Sequence, residues 1–184
     1  IDLSLDTPTF TEDRGIVSIY AENYSRLNST NSFSWEVLEH LGHTGSSVWV
    51  NPLKSEEKIF DPELNDPSVL EYDFYSERDG EVTIHVYTLP VHPVHEPYSN
   101  RFGLALNSDE PMVVDHRTHG RSETWKNNVL SNTAITSIKY TLPGAGLHTL
   151  KIYALDPGVI VDRILIEREG AVQSYSPFSE TRVQ

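Results

Sequence analysis

Cysteine is absent from the 184-residue chain. Its absence excludes disulfide bonds, thiolate metal sites and a cysteine nucleophile. The sequence also lacks an apolar run of transmembrane length and a recognisable signal peptide, and it begins at Ile1. We therefore expect a processed protein or a domain cut from a longer one. The missing cysteines do not fix its compartment, because many bacterial secreted domains also lack them; the expected location, for a protein of bacterial type, is the periplasm or outside the cell.

Positive charge is scarce. The chain carries 14 Lys and Arg against 27 Asp and Glu, for a formal net charge of −13, and its cations form no stripe. An acidic surface repels phosphate groups, so neither nucleic acid nor an anionic membrane is expected as a partner. The 38% apolar residues are enough for one packed domain over residues 1–184.

Motifs of common enzyme classes are missing as well. The chain has no G-x-S-x-G elbow, P-loop, H-E-x-x-H or dinucleotide fingerprint. Histidines gather in "VHPVHEP" (91–97) and "DHRTHGR" (115–121). The prolines of the first stretch make it a rigid extended loop, so these histidines are expected to form local hydrogen bonds rather than bind a metal. A small hydrolase that uses these loops is the weakest of the functional hypotheses.

Alternation of apolar and polar residues dominates the rest of the chain. The turn signals "RDGE", "LPGAG" and "DPG" separate the alternating runs. This spacing predicts an all-β fold, an antiparallel β-sandwich or jelly roll. One short helix is expected at 122–130, with Ser122 as its cap. The first dozen residues and the tail after Gln173 have weak patterns and are expected to lie on the surface. The predicted strands contain residues 17–24, 48–50, 70–74, 82–87, 102–106, 138–142, 149–153 and 159–166.

Aromatic residues offer stacking surfaces for a sugar. A pyranose ring has an apolar face of C–H groups and a rim of hydroxyls, so it suits an aromatic plane with amides or charges nearby. The sequence "GRSETWKNN" (120–128) supplies such a set. The alternative is that the tryptophan of this stretch plugs the end of the sandwich. Trp35 is expected to pack, and Trp49 can face either way. The candidate ligand-binding residues are Trp125, Asn127, Asn128, Arg121, Asp109 and His92.

The sequence "IYAE" (19–22) resembles the first strand of carbohydrate-binding modules of families 6 and 35. In those modules the strand reads I-E-A-E, and its glutamates reach a calcium ion together with an aspartate from a late strand. The resemblance implies Glu22 and Asp162 as calcium ligands, although Tyr20 replaces the first glutamate. The alternative is that both carboxylates accept hydrogen bonds from loop amides and join the first and last strands without a metal.

A second resemblance covers nearly the whole chain. The order and spacing of several stretches are similar to the C-terminal domain of family 115 glycoside hydrolases, the xylan α-1,2-glucuronidases. The catalytic machinery of those enzymes belongs to other domains, so the resemblance implies a non-catalytic accessory domain. The matching stretches are "GIVSIYAENY", "WEVLEHLGHTGSSVWV", "LEYDFY", "VTIHVYTLPVHPV", "RFGLALNSDEPMVV", "WKNNVLSN", "GLHTLKIYALDPGVIVDRILIE" and "SYSPFSETR".

Two classes of function follow from this resemblance. The first is a carbohydrate-binding module for a plant polysaccharide or oligosaccharide, with xylan or its glucuronic acid decorations as the expected ligand. Arg121 would then pair with a uronate carboxylate in bidentate fashion. The second is a structural domain that buttresses the catalytic domain of its parent enzyme or forms a dimer, and binds no sugar. It predicts an exposed apolar patch.

Overall fold

A computed structural model describes residues 9–29, 34–51, 53, 67–94, 96, 98–171 and 179–183. Strands make up most of this part of the chain, and one helix interrupts them. In chain order the elements are β1 (Thr9–Thr11), β2 (Ile16–Tyr20), β3 (Arg26–Asn28), β4 (Ser34–Glu39), β5 (Ser46–Asn51), β6 (Val69–Ser76), β7 (Gly80–Thr88), β8 (Arg101–Leu106), β9 (Met112–Asp115), α1 (Glu123–Ser131), β10 (Ala134–Leu142), β11 (Gly146–Ala154) and β12 (Ile160–Arg168).

The strands form two six-stranded sheets. Sheet A has the order β1-β6-β11-β8-β9, with β3 also paired to β6. Sheet B has the order β10-β7-β12-β5-β4, with β2 also paired to β12. Each pairing is antiparallel except that of β1 with β6, which is parallel. The all-β sandwich expected from the sequence is confirmed.

The core lies between the two sheets and is built from alternate residues of each strand. In β7, Val82, Ile84 and Val86 are buried, whereas the intervening side chains are partly exposed. Trp35 is also buried, so its predicted packing role is confirmed. The largest fully buried side chains, which come from both sheets, are Trp35, Tyr72, Phe10, Phe74, Phe102, Ile19, Leu70, Ile84, Leu104, Leu106, Leu142 and Leu150.

Four strands were not expected from the sequence: β1, β3, β4 and β9. The first two have three residues each, too short for an alternation to register. The expectation that the first dozen residues lie on the surface is wrong for β1, because it pairs with β6 and its Thr9 and Phe10 are buried. Residues 179–183 lie between β1 and β2, with hydrogen bonds of 2.8 Å from the Thr11 amide to the Thr181 carbonyl and 2.9 Å from the Thr181 amide to the Ser18 carbonyl. This part of the tail is therefore bonded to both sheets.

Helix α1 begins where the sequence predicts. The Ser122 hydroxyl accepts a 3.2 Å hydrogen bond from the Trp125 amide, as an N-cap does. The helix ends at Asn132, whose left-handed φ of 50° lets its amide donate to the Asn128 and Val129 carbonyls. None of the helical residues is fully buried. The helix therefore lies on the outside of the sandwich.

Candidate functional site

Trp125 on α1 is half-buried and stacks on His92. The two ring centroids are 3.8 Å apart and the planes are inclined by 26°. His92 itself is exposed, in the loop after β7. One face of the indole is thus covered by an imidazole, so a sugar could stack only on the opposite face. The tryptophan is neither a fully buried plug nor a bare platform.

The residues predicted to surround Trp125 are only partly brought together. Asn128 is three residues further along α1 and shares the face of Trp125, whereas Asn127, two residues along, points to a different face. Arg121 is exposed just before the helix cap. Asp109 lies in the turn that follows β8, and its amide donates to the Leu106 carbonyl.

The expected proximity of Asp109 to Trp125 is wrong. The β8–β9 hairpin pairs Leu104 with Met112 near its turn and Arg101 with Asp115 at its open end. The open end is the end near α1, because the amide group of Asn100 donates to the carbonyl of Val91, next to His92. The turn that carries Asp109 therefore lies at the opposite end of the sandwich.

Several buried polar atoms at the α1 end lack a hydrogen-bond partner among the described residues. They are Asn100 Oδ1, His116 Nε2, Thr118 Oγ1 and Thr133 Oγ1. Burial lowers the pKa of His116 to about 4, against the opposing charges of Asp115 and Asp156. The imidazole is consequently neutral near neutral pH, which suits an uncharged polar environment.

The local hydrogen bonds expected of the loop histidines stay a prediction, since those in the described part of the loop 115–121 belong mainly to Asp115. Asp115 accepts a 2.6 Å hydrogen bond from the Ser99 hydroxyl and a 3.0 Å bond from the Arg117 amide. The imidazole of His116 lies 3.5 Å from the Thr88 hydroxyl. His95 is outside the described residues. Within the described ranges, no three His, Asp or Glu side chains gather as a metal site would require.

Asp162 is fully buried, and protein donors occupy both of its carboxylate oxygens. Oδ1 accepts from the His43 amide at 3.0 Å and from the Ser47 hydroxyl at 3.2 Å. Oδ2 accepts from the His43 amide at 3.2 Å, and His43 Nδ1 lies 2.8 Å away. The loop between β4 and β5 is shaped for this contact, because a Cβ on Gly42 would lie 1.9 Å from Oδ1.

Glu22 is placed differently from Asp162. Its Oε2 is buried without a partner among the described residues. Burial raises the pKa of Glu22, and the charges of Glu180 and Asp162 raise it further. Glu180 is already held, since it accepts hydrogen bonds of 3.0 Å from the Tyr20 amide and 3.0 and 3.1 Å from the Asn23 side chain.

The groups around Asp162 do not fit a calcium ion. The ion takes six to eight oxygen ligands, whereas the oxygens of Asp162 face N–H and O–H donors. The alternative drawn from the sequence had both carboxylates accept hydrogen bonds from loop amides and join the first and last strands without a metal. Asp162 accepts such a bond from the His43 amide, whereas Glu22 Oε2 has no donor among the described residues. The Asp162 backbone also takes part, because its carbonyl accepts a 3.1 Å bond from the Ala21 amide just after β2.

The outer face of sheet A carries a groove that sequence reasoning missed. Gly103 on β8 pairs with Tyr153 on β11 on one side and with Val113 on β9 on the other. A Cβ on Gly103 would lie 3.0 Å from Tyr153 Cβ and 3.3 Å from its Cγ and Cδ2. The tyrosine ring therefore packs closely against the glycine, and Val113 stands 50% exposed across from it.

The groove has a volume of about 430 Å³, within the range of small-molecule sites. Burial raises the pKa of Tyr153, and the charges of Glu71 and Glu110 raise it further. The phenol thus stays protonated and able to donate a hydrogen bond. The sequence identifies Tyr153 only as an outward-facing residue of a strand, because its neighbour on the next strand, Gly103, lies fifty positions earlier in the chain. The lining residues are Pro67, Gly103, Glu110, Pro111, Val113, Tyr153 and Leu155.

Comparison with solved structures supports the fold. The family 115 4-O-methyl-α-glucuronidase BtGH115A, described as specific for decorated arabinogalactans, matches with a TM-score of 0.66 and 29% identity. The match covers 85% of this chain but only 18% of that enzyme. No curated protein sequence matches the chain. No helix among the described residues has the length and apolar character needed to cross a membrane.

More distant neighbours share the architecture alone. The C-terminal family 6 carbohydrate-binding module of the laminarinase LamC from Zobellia galactanivorans matches with a TM-score of 0.50 and 17% identity, over 83% of this chain and 99% of that module. An isomalto-dextranase from Arthrobacter globiformis matches with a TM-score of 0.56 and 12% identity, over 85% of this chain and 24% of that enzyme. The sequence model of the glycosyl hydrolase family 115 C-terminal domain matches residues 9–178, and the chain belongs to this family.

Proposed function

We propose that the chain is a non-catalytic domain that binds a plant polysaccharide and holds its parent enzyme on it. The observation that carries this proposal is the groove on sheet A, where Tyr153 packs on Gly103 and faces Val113. The groove combines an aromatic ring, apolar walls and a few polar groups, the usual composition of a sugar site.

The dimensions of the groove suit a sugar chain. Neighbouring strands lie about 4.8 Å apart, so Tyr153 and Val113 stand on strands separated by about 10 Å, with only hydrogen at Gly103 between them. A pyranose ring laid on the tyrosine would contact its apolar face, and the Tyr153 hydroxyl and Glu110 carboxylate would bind sugar hydroxyls.

Xylan is the first candidate ligand, because the family resemblance associates this domain with xylan-processing enzymes. Decorated arabinogalactan is the second, because BtGH115A is described as specific for it. A parent enzyme that acts on such polymers would work outside the cytoplasm, so the proposal includes a secreted or periplasmic location. The catalytic domain of that enzyme would be the covalent partner of the chain.

The residues predicted from the sequence define a second candidate surface. The uncovered face of Trp125, with Asn128 on the same side of α1 and Arg121 before the cap, could stack a sugar and pair with a uronate. The two surfaces lie on different parts of the sandwich. Separate substitutions therefore distinguish them.

Affinity gel electrophoresis of the purified chain tests the proposal. The gels would contain glucuronoxylan, arabinoxylan, decorated arabinogalactan, a β-glucan or a mannan. We expect one class to retard the chain, and Tyr153→Ala to lose that retardation. Tyr87→Ala is the matched control, since Tyr87 is a partly exposed tyrosine on the outer face of sheet B. Loss of retardation in Trp125→Ala instead would move the site to α1.

A structural role is the second candidate, and one observation favours it. Leu130 is 86% exposed at the end of α1, and Val129 and Ile135 close to it are about half exposed. Exposed apolar side chains of this kind are typical of a surface that another domain covers. If no polysaccharide retards the folded chain, and Leu130→Glu reduces its self-association in sedimentation, the structural role replaces the binding role.

A further inference from the structure

The charge among the described lining residues of the groove on sheet A is negative. Among its described lining residues Glu110 is the charged one, and it is exposed. A second carboxylate, that of Glu71, is close enough to act on the Tyr153 hydroxyl from the neighbouring strand. A ligand seated on Tyr153 therefore lies between two carboxylates, of which Glu71 is paired with Arg26.

The cation that is bonded to Glu71 also binds a second carboxylate. Arg26 on β3 holds Asp73 through two hydrogen bonds of 2.5 and 2.8 Å and Glu71 through one of 2.6 Å. One guanidinium thus serves two carboxylates, which leaves that cluster with a net negative charge. Because its N–H groups are turned toward Asp73 and Glu71, Arg26 is not available for an acidic ligand without breaking these bonds.

Arg101 on β8, two residues before Gly103, is a second cation on this face, and it is bound to Asp156. Lys151 on β11 is a third. It pairs directly with Glu71 in the register of β11 and β6 and precedes Tyr153 by two residues. Its position balances the charge of Glu71 and leaves Glu110 uncompensated on the opposite wall. The net charge of −13 for the whole chain adds to the same potential.

We propose that the groove selects neutral sugar chains and disfavours chains that carry a uronic acid carboxylate near the bound unit. Glu110 is the residue that provides this discrimination, and Tyr153 is the platform. The inference rests on the proposed function. It narrows the ligand from xylan in general to its neutral backbone, away from the glucuronic acid decorations.

The magnitude follows from the charge separation. Two like charges a few ångströms apart in a solvated groove repel by about 1 kcal/mol, which corresponds to about fivefold in affinity. The effect falls at high salt, because the Debye length shortens from about 10 Å at 0.1 M to about 3 Å at 1 M ionic strength, which is comparable with the separation of the charges. A contact made purely by stacking would show no such dependence.

A pair of matched ligands tests the inference. Glucuronoxylan and the same polymer with its carboxyl groups reduced to alcohols differ in charge alone, and decorated arabinogalactan can be treated the same way. Affinity electrophoresis would give dissociation constants of the whole chain for each form in low and high salt. We expect the reduced form to bind about fivefold more tightly in low salt. Glu110→Gln should tighten binding of the acidic form more than it changes binding of the reduced form, so that the ratio of the two dissociation constants falls toward one.

The control for Glu110→Gln is Glu169→Gln, the same change of charge at an exposed position beyond β12. Equal or tighter binding of the acidic form by the wild-type chain would overturn the inference while leaving the proposed function intact. Selectivity that survives Glu110→Gln or Tyr153→Ala would also overturn it, because the discrimination would then lie elsewhere. Binding of neither form would refute the proposed function itself.

Discussion

His116 should make the stability of the domain depend on pH between 7 and 4. His116 is partly exposed at the α1 end, but its Nε2 is buried and unpartnered among the described residues, and burial lowers the pKa of the imidazole from an ordinary 6.5 to about 4. In this interval the unfolded chain binds a proton at His116 that the folded chain does not. The stabilisation is therefore complete above pH 6.5 and is lost as the pH falls through about 4.

The two pKa values give the size of the effect. The full difference amounts to about 3 kcal/mol, and the part lost between pH 7 and pH 5 is about 2 kcal/mol. The pKa of Glu12, Asp73 and Asp115 is lowered by their hydrogen bonds, against the opposing effect of burial, so their contributions are lost at lower pH, below the ordinary carboxyl range. Comparison with a variant isolates the histidine from these carboxylates.

The perturbation is His116→Gln, measured by urea unfolding at pH 7 and at pH 5. We expect the wild-type chain to lose about 2 kcal/mol more than the variant over this interval. His119→Gln, the same substitution at an exposed position of the same loop, is the control for replacing a histidine. Equal pH dependence of the wild-type and His116→Gln chains would refute a buried neutral imidazole.

Three further substitutions test the contacts of Asp162 with the β4–β5 loop and the groove on sheet A. Asp162→Ala should lower the free energy of unfolding by about 3 kcal/mol, because it leaves the donors of His43 and Ser47 unpaired, and a chelator should leave the melting temperature of the wild-type chain unchanged. Gly42→Ala should destabilise by about 3 kcal/mol, since its φ of 94° and the contact with Asp162 both oppose a side chain; a normal melting curve would show that the loop adapts. Gly103→Ala should weaken polysaccharide binding several-fold with little loss of stability, because the new methyl group must displace the Tyr153 ring by a few tenths of an ångström; unchanged binding in affinity electrophoresis would mean that the ring position does not matter.

The long strands and the helix follow from local sequence. The buried residues of β7 alternate with outward ones over nine positions, and β10 and β11 flank the "LPGAG" turn. Such repeated patterns are strong because each strand has one face in the core. The cap of α1 is equally local, since it needs only Ser122 and the amide three residues later.

Strand β9, the partner of Asp162 and the groove on sheet A depend instead on contacts between distant parts of the chain. Val113 on β9 is half exposed, so this short edge strand shows no alternation. The partner of Asp162 is His43, 119 positions earlier, and no local signal distinguishes it from a calcium ion. The groove needs Tyr153 and Gly103 side by side in the register of two strands, which the sequence does not specify.

The most direct test of the account is affinity electrophoresis of the wild-type, Tyr153→Ala and Tyr87→Ala chains on soluble xylan and arabinogalactan. The account predicts that one of these polymers retards the wild-type and Tyr87→Ala chains, and that Tyr153→Ala migrates as it does without polysaccharide. No retardation of the folded wild-type chain, or retardation of Tyr153→Ala equal to that of the wild type, would contradict a sugar site on sheet A.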